Sequence, residues 1–299
     1  MAEASSTSTA LAERLRRHVV QLAAVIGERN VWRPRALHAA ADYIREEWRR
    51  QGHEVTSQHY MAYGVRSENL EIAFTDSTPS TEIVLVGAHY DSVPGSPGAD
   101  DNASGVAGLL EIGRAIAGRR LNRTVRLVAF VNEESPFFYW GAMGSRQYAE
   151  AARRGGDDIR LMISLEMLGA FSDKPHSQRY PPLIGAFYPN HGDFIAFVSD
   201  LYSRKVLKRT VEAFRRVSDF PSEYLAAPRF VPGLSWSDHL SFWREGYPAL
   251  MVTDTAFYRY AHYHRAEDTP NQLDYHRMAR VVQGLAEAIV ALANRESLP

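Results

Sequence analysis

Apolar residues recur at helical spacing from Leu15 through Val19 and Leu22 to Ile26, and again from Leu37 through Ala41 and Ile44 to Trp48, with Gly52 ending the second run. Steps of three and four put them on one face, which predicts two amphipathic helices near the start of the chain. "HEVTSQHYMAYG" and "NLEIAFTD" predict strands at a sheet edge. "TEIVLVGAHYDS" is a short, nearly continuous apolar run, the pattern of a strand buried on both faces. Val106, Leu109, Leu110 and Ile116 give a third helix its apolar face. A second buried strand, "TVRLVAFVNEES", a helix across "GSRQYAEAA" and a third buried strand, "IRLMISLEMLGA", come next, and "YPALMVTDTA" predicts a fourth. Met278, Val281, Val282, Leu285, Ile289 and Leu292 mark a long final helix.

Strands separated by helices predict an α/β fold, with a mainly parallel mixed central sheet, helices on both faces, and ligands gathered beyond the carboxyl ends of the strands. Between Gly169 and Ser237 the pattern loosens, with one predicted helix over "DFIAFVSDLYSRKV". Long irregular segments inside a compact domain tend to be functional, so residues 170–235 are expected to form a loop-rich border to the site. No repeat or second core interrupts the pattern, and residues 1–299 are expected to form a single catalytic domain.

Composition narrows the chemistry. The 34 Lys and Arg nearly balance 35 Asp and Glu, a formal charge of -1, so nucleic acid and acidic membrane surfaces are not expected partners. Arginine pairs beginning at Arg16, Arg49, Arg119, Arg153 and Arg215 are scattered and read as solvated faces. With no cysteine, any metal must be held by histidine, carboxylate and water. The first twenty residues lack the apolar core of a secretory signal, and no run approaches the ~18 apolar residues of a membrane span, so the expected location is cytoplasmic.

The polar residues cluster where buried strands end. "GAHYDS" delivers His89 and Asp91 to one side of a strand, the arrangement in which a carboxylate orients a ligating imidazole. "GADDNASG" holds Asp100 and Asp101 in a tight turn, where like charges repel unless a cation lies beside them. "AFVNEESPFF" places Glu133 and Glu134 on diverging sides, so one can bind a metal while the other faces a reacting water. Glu166 is embedded in the apolar run of "ISLEMLGA" and needs a partner. "YAHYHRAEDTP" adds His262 and His264. His89, Asp101 or Asp100, Glu134, Glu166 and His264 are too many donors for one tetrahedral zinc with an open position. With one carboxylate bridging, they suit two metals a few ångströms apart.

In order and spacing, "GAHYDSVPGSPGADDNASGVAGLLEIGRAI", "NEES", "SLEMLG" and "YHRAEDTP" resemble the motifs of the co-catalytic two-zinc aminopeptidases of the bacterial leucyl-aminopeptidase type, whose three-layer zinc-peptidase fold is shared with glutaminyl cyclases. The resemblance implies two zinc ions per chain, one held by His89, Glu166 and Asp101 and the other by Asp101, Glu134 and His264, with Asp101 as the bridge. Glu133 matches the general base, Asp91 the carboxylate behind His89, Asp100 a supporting residue, and Tyr263 an oxyanion-side hydroxyl. Many members have aspartate where this chain has Glu166, and the extra methylene shifts that carboxylate. Asp238 and His239 in "WSDHLSFW" read as structural or pocket-lining. Phe137, Phe138 and Trp140, and Tyr258 in "FYRY", are candidates for the substrate pocket.

The implied reaction is metal-dependent hydrolysis of an N-terminal residue from a peptide or aminoacyl amide by a zinc-bridging water, with Glu133 taking the proton. The alternatives are a single-zinc glutaminyl cyclase and a noncatalytic binding module of the same fold.

Overall fold

The computed structural model describes residues 2–75, 80–139, 141–182, 184–294 and 298. Trp140 lies outside them. Eight strands form one sheet: β1 Thr56–Ala62, β2 Val65–Phe74, β3 Glu82–His89, β4 Thr124–Phe130, β5 Asp158–Glu166, β6 Ile195–Ser199, β7 Ser222–Ala226 and β8 Ala249–Thr253, in the spatial order β1-β2-β4-β3-β5-β8-β6-β7. The β4-β3, β3-β5, β5-β8 and β6-β7 pairs are parallel. The β1-β2, β2-β4 and β8-β6 pairs are antiparallel, giving the mainly parallel mixed sheet expected.

Alternation along the strands supplies two apolar faces. Val84, Val86 and Ala88 of β3 join the core packed by α1 Ala2–Val19, α2 Pro34–Arg50, α3 Gly105–Ile116, α5 Arg204–Val217 and α7 Tyr275–Ala293. Ile83 and Leu85 join the core of the opposite face, under α4 Gly144–Gly155 and α6 His239–Arg244. Local chemistry sets the helix ends. Pro34 opens α2, where its missing N–H is not needed, and the Asp274 carboxylate accepts from the Arg277 N–H in the first turn of α7. No helix among the described residues is long and apolar enough to cross a membrane.

Two expectations are corrected. The helix predicted over residues 193–206 is instead strand β6, a turn, and only the first residues of α5. "IAFVS" is too short an apolar run to show a period, and its ladders to β8 and β7 decide for strand. Of the two strands assigned to the edge, only β1 is there, since β2 lies between β1 and β4.

Candidate metal centre

Parallel strands β3, β4 and β5 end at one edge of the sheet, and this brings the polar residues together. His89 is the last residue of β3 and Glu166 the last of β5, Glu133 and Glu134 follow β4, and Asp101 sits in the turn leading into α3. His264 reaches in from the segment after β8. Two trios result, His89 with Asp101 and Glu166, and Asp101 with Glu134 and His264. His89 Nε2 is 3.4 Å from Asp101 Oδ1 and 3.4 Å from Glu166 Oε2. His264 Nε2 is 3.2 Å from Asp101 Oδ2 and 3.4 Å from Glu134 Oε2. Ligands held about 2.0–2.2 Å from a tetrahedral zinc stand about 3.3–3.6 Å apart, so these separations suit the edges of two coordination shells that share Asp101. Neither nitrogen of the fully buried His89 makes a hydrogen bond, and Glu134 Oε1 is also unpartnered. Donors aimed at one another at these separations without hydrogen bonds suit the coordination of a cation better than a hydrogen-bond network.

Electrostatics agree. Burial pushes the carboxyls of Glu133, Glu134 and Glu166 upward, with mutual repulsion adding to it. Asp101 is held far below its usual range by His264 and His89, which outweigh its burial. Glu133 Oε2 stands 3.9 Å from His89 Nε2 and belongs to neither trio. Asp100, its neighbour Asp101 aside, turns away from the centre. It accepts from the Gly169 N–H at 2.9 Å, and burial together with Asp254 drives its carboxyl far above the ordinary aspartate range. The paired charges of the turn are thus separated by orientation, Asp100 toward Gly169 and Asp254 and Asp101 toward the two histidines.

A second set of polar groups fixes the first. Asp91 lies 3.5 Å from His89 Nδ1 and accepts from the Glu133 and Glu134 N–H groups, both at 3.1 Å, so one carboxylate holds two ligand segments. Asp268 accepts from the Asp100 N–H (2.8 Å), the Asp101 N–H (3.2 Å) and the Tyr260 hydroxyl (2.9 Å). Asn102 accepts from Met167 and donates to the Leu165 carbonyl, tying the Asp101 turn to the end of β5. Ser237 donates to Glu166 Oε2 at 2.7 Å. Arg29, fully buried, donates to the carbonyls of Tyr90 and Gly98. Asn102, Ser237 and Asp268 lie inside the motifs "GADDNASG", "WSDHLSFW" and "YHRAEDTP" beside the candidates singled out there, whereas Arg29 lies in no such motif. Asn132, Met167 and His264 have φ of 59°, 57° and 58°, so left-handed residues precede Glu133, follow Glu166 and include a candidate ligand itself. Such conformations cost about 1–3 kcal/mol each and persist where surrounding contacts enforce them.

The other candidates divide. Tyr263 stacks on His264, ring centres 3.8 Å apart, and burial with the adjacent carboxylates keeps its hydroxyl protonated. Tyr263 and Tyr258 line an open cleft of about 850 Å3 that also reaches Glu166. Phe137 and Phe138 are not among its lining residues. Phe137 packs on Tyr63 at 5.1 Å, and Phe138 packs on the main core and lies edge-on to Tyr139. The turn through Pro136 keeps the Phe137 N–H on the Glu134 carbonyl at 2.9 Å, but both rings point away from this cleft's lining. His239 is fully buried, bonded through Nε2 to the Leu234 carbonyl and set edge-on to Trp243, a structural position away from both trios. His262 faces the Tyr260 ring.

Residues 69–289 match the model of Peptidase family M28. The protein named uncharacterized protein YfbL of Escherichia coli strain K12 is 38% identical over 283 residues, covering 91% of this chain and 86% of its own length. A probable leucine aminopeptidase of Arthroderma benhamiae is 28% identical over 232 residues, which are 72% of this chain but 56% of the relative, so the chain spans little more than half the length of that fungal protein. Among solved structures, a zinc aminopeptidase from Bacillus subtilis superposes with a TM-score of 0.75 at 15% identity, covering 94% of this chain and 95% of its own. A glutaminyl cyclase from Bacteroides thetaiotaomicron gives 0.70 at 19% identity, covering 95% and 98%. Those two likenesses establish a shared fold.

Proposed function

Because the chain belongs to peptidase family M28, we propose that it is a zinc-dependent aminopeptidase, residues 1–299 acting as one catalytic domain that removes N-terminal residues from peptides. The observation that carries this reading is the pair of donor trios sharing Asp101, with Glu133 beside them and outside both. Histidine with carboxylate, and no cysteine, is a donor set that zinc accepts. His89, Asp101 and Glu166 would hold one ion, and Asp101, Glu134 and His264 the other. Two such ions, when bound, lower the pKa of water and polarise the scissile carbonyl.

The remaining roles belong to the chain. Glu133, its carboxyl raised by burial, takes a proton from the attacking water at Oε2 as the oxygen bonds to the carbonyl carbon. It returns that proton to the departing amine nitrogen when the C–N bond breaks. Glu134 Oε1, buried and without a hydrogen bond, stays available to the ion that Glu134 would help to hold. The Tyr263 hydroxyl, its pKa raised by burial and the neighbouring carboxylates, would donate to the carbonyl oxygen as its charge develops.

The test is hydrolysis of a panel of aminoacyl p-nitroanilides beside N-acetylated counterparts, with glutaminyl peptides included. Free-amine anilides should be cleaved and acetylated ones left intact, and Glu133→Gln should lower kcat about 10²–10⁴-fold without lowering zinc content. Equal cleavage of acetylated substrates, an active Glu133→Gln enzyme, or cyclisation of N-terminal glutamine in place of hydrolysis would each reject this reading.

A further inference from the structure

The cleft beside the candidate metal centre is floored by one face of the sheet, and strand register fixes what stands on that floor. Glu166 of β5 pairs with Thr253 of β8, Thr253 with Ala196 of β6, and Ala196 with Glu223 of β7. Residues directly opposite one another on paired strands point to the same face, so these four side chains form one row, and all four line the cleft. Strands lie about 4.8 Å apart, so three steps place Glu223 roughly 14 Å from Glu166, with only threonine and alanine between them. The neighbouring row, Met251, Val198 and Leu225, is apolar and lines the cleft as well.

Aromatic rings form the walls. Tyr180 and Tyr188 stack on each other, and their hydroxyls are engaged by the Pro189 and Tyr224 carbonyls. Trp236 and Phe257 pack together farther along the lining. Glu223 stands apart in this setting, because its half-buried carboxylate has no hydrogen-bonded or ion-paired partner among the described residues. Arg215 attracts this carboxylate from a distance but forms no ion pair with it, and the hydrogen bonds of the nearby arginines go elsewhere, those of Arg259 to Gln178 and to the Ala170 and Phe194 carbonyls. Arg215 donates to the hydroxyl and carbonyl of Ser222, and Arg179, at the rim, donates to the Phe257 carbonyl. Asp193, paired with His191, adds a further negative charge near this end.

We propose that this cleft selects an N-terminal residue with a long, positively charged side chain, arginine or lysine, and that Glu223 is the residue that specifies it. The proposal rests on the aminopeptidase reading of the metal centre. Length and chemistry both support it. An extended arginine carries its guanidinium about 7 Å beyond its Cα on standard bond lengths. With about 3 Å of contact at each end, it spans the row from the metal centre to Glu223. Its apolar stem crosses Thr253 and Ala196, the aromatic rings favour the cation, and the carboxylate gains the partner it lacks. A leucine side chain ends over the middle of the floor and leaves Glu223 unpaired, which is how a site built for a polar group rejects a substrate without one.

The experiment measures kcat/KM of the zinc-loaded enzyme for arginyl, lysyl, leucyl and methionyl p-nitroanilides, together with calorimetric binding of free L-arginine and L-leucine. Wild type is compared with Glu223→Gln and Glu223→Arg. Arginyl and lysyl substrates should lead leucyl by about tenfold or more. Glu223→Gln should cut the cationic substrates about 10- to 100-fold with the leucyl rate within about twofold, and Glu223→Arg should abolish cationic cleavage. A wild-type preference for leucine, or an equal loss on all four substrates in Glu223→Gln, would overturn the specificity claim while the aminopeptidase reading stands. If no anilide is cleaved, that reading fails and calorimetry decides the claim alone. Tighter binding of arginine that disappears in Glu223→Gln supports it, and equal binding of the two amino acids overturns it.

Discussion

Replacing Arg29 by methionine isolates what a single buried cation contributes to the site. The guanidinium is fully buried and donates to the Tyr90 carbonyl at 2.6 Å, Pro97 at 2.5 Å, Gly98 at 2.8 Å and Gly27 at 3.3 Å, so it ties the end of β3 to the loop that delivers Asp101. Burial lowers its pKa to about 10, with Asp91, Asp268, Asp101 and Glu134 opposing that fall, and the group is a cation at neutral pH. Methionine fills comparable space and donates nothing. The Gly98 carbonyl keeps a bond from the Ala103 N–H, while those of Tyr90 and Pro97 are left without a partner. The buried Tyr90 acceptor and the half-buried Pro97 acceptor, stranded at about 1–3 kcal/mol each, place the loss at about 3 kcal/mol after some return from no longer burying a charge. For a chain of this length that lowers Tm by about 5 °C. Arg29→Lys keeps the charge but loses the planar fork, so it should recover less than half of the shift. Thermal denaturation followed by circular dichroism, at fixed zinc, reads the result. A Tm within 2 °C of wild type for Arg29→Met would refute the reasoning.

Other consequences concern the groups that hold the ligands. Asp268→Asn converts a carboxylate accepting from Asp100, Asp101 and Tyr260 into an amide, and zinc affinity by competitive chelation should fall about 10- to 100-fold; an unchanged affinity removes Asp268 from the account. Ser237→Ala frees Glu166 Oε2, and the same chelation assay should show weaker binding of one zinc and not the other. His239, buried and neutral, has its pKa lowered from 6.5 to about 4, chiefly by burial. The unfolded chain therefore binds its proton first, and the stability this histidine confers above pH 6.5 is lost as pH falls toward 4, about 3 kcal/mol in all. Urea midpoints at pH 7 and pH 5 should separate less in His239→Gln than in wild type, and equal separations would contradict this.

Much of the sheet was legible because β3, β4 and β5 are short apolar runs ending in charged residues, and the site residues stand where those runs stop. His89, Glu134 and Glu166 could be singled out for that reason, and Asp101 by its small-residue turn. Spacing alone leaves open which aspartate of the turn faces the centre, because the group that Asp100 faces, Asp254, lies 154 positions away by number. Arg29 and Asp268 belong to segments without periodicity, and their partners are mostly backbone groups that no residue pattern displays. β6 was hidden because an apolar run of five residues has no distinguishable period and its ladder partners lie far along the chain. Phe137, next to Glu134 in sequence, packs on Tyr63 and does not line the cleft, a placement that its position in the chain does not display.

The claim that two zinc ions share Asp101 is tested most directly by metal content per chain, measured by mass spectrometry on wild type, His264→Ala and Asp101→Ala proteins that remain folded by circular dichroism. The predicted counts are two, one and none, because His264 serves a single trio and Asp101 serves both. One zinc in the wild type, or a count in Asp101→Ala no lower than in His264→Ala, would contradict the shared centre.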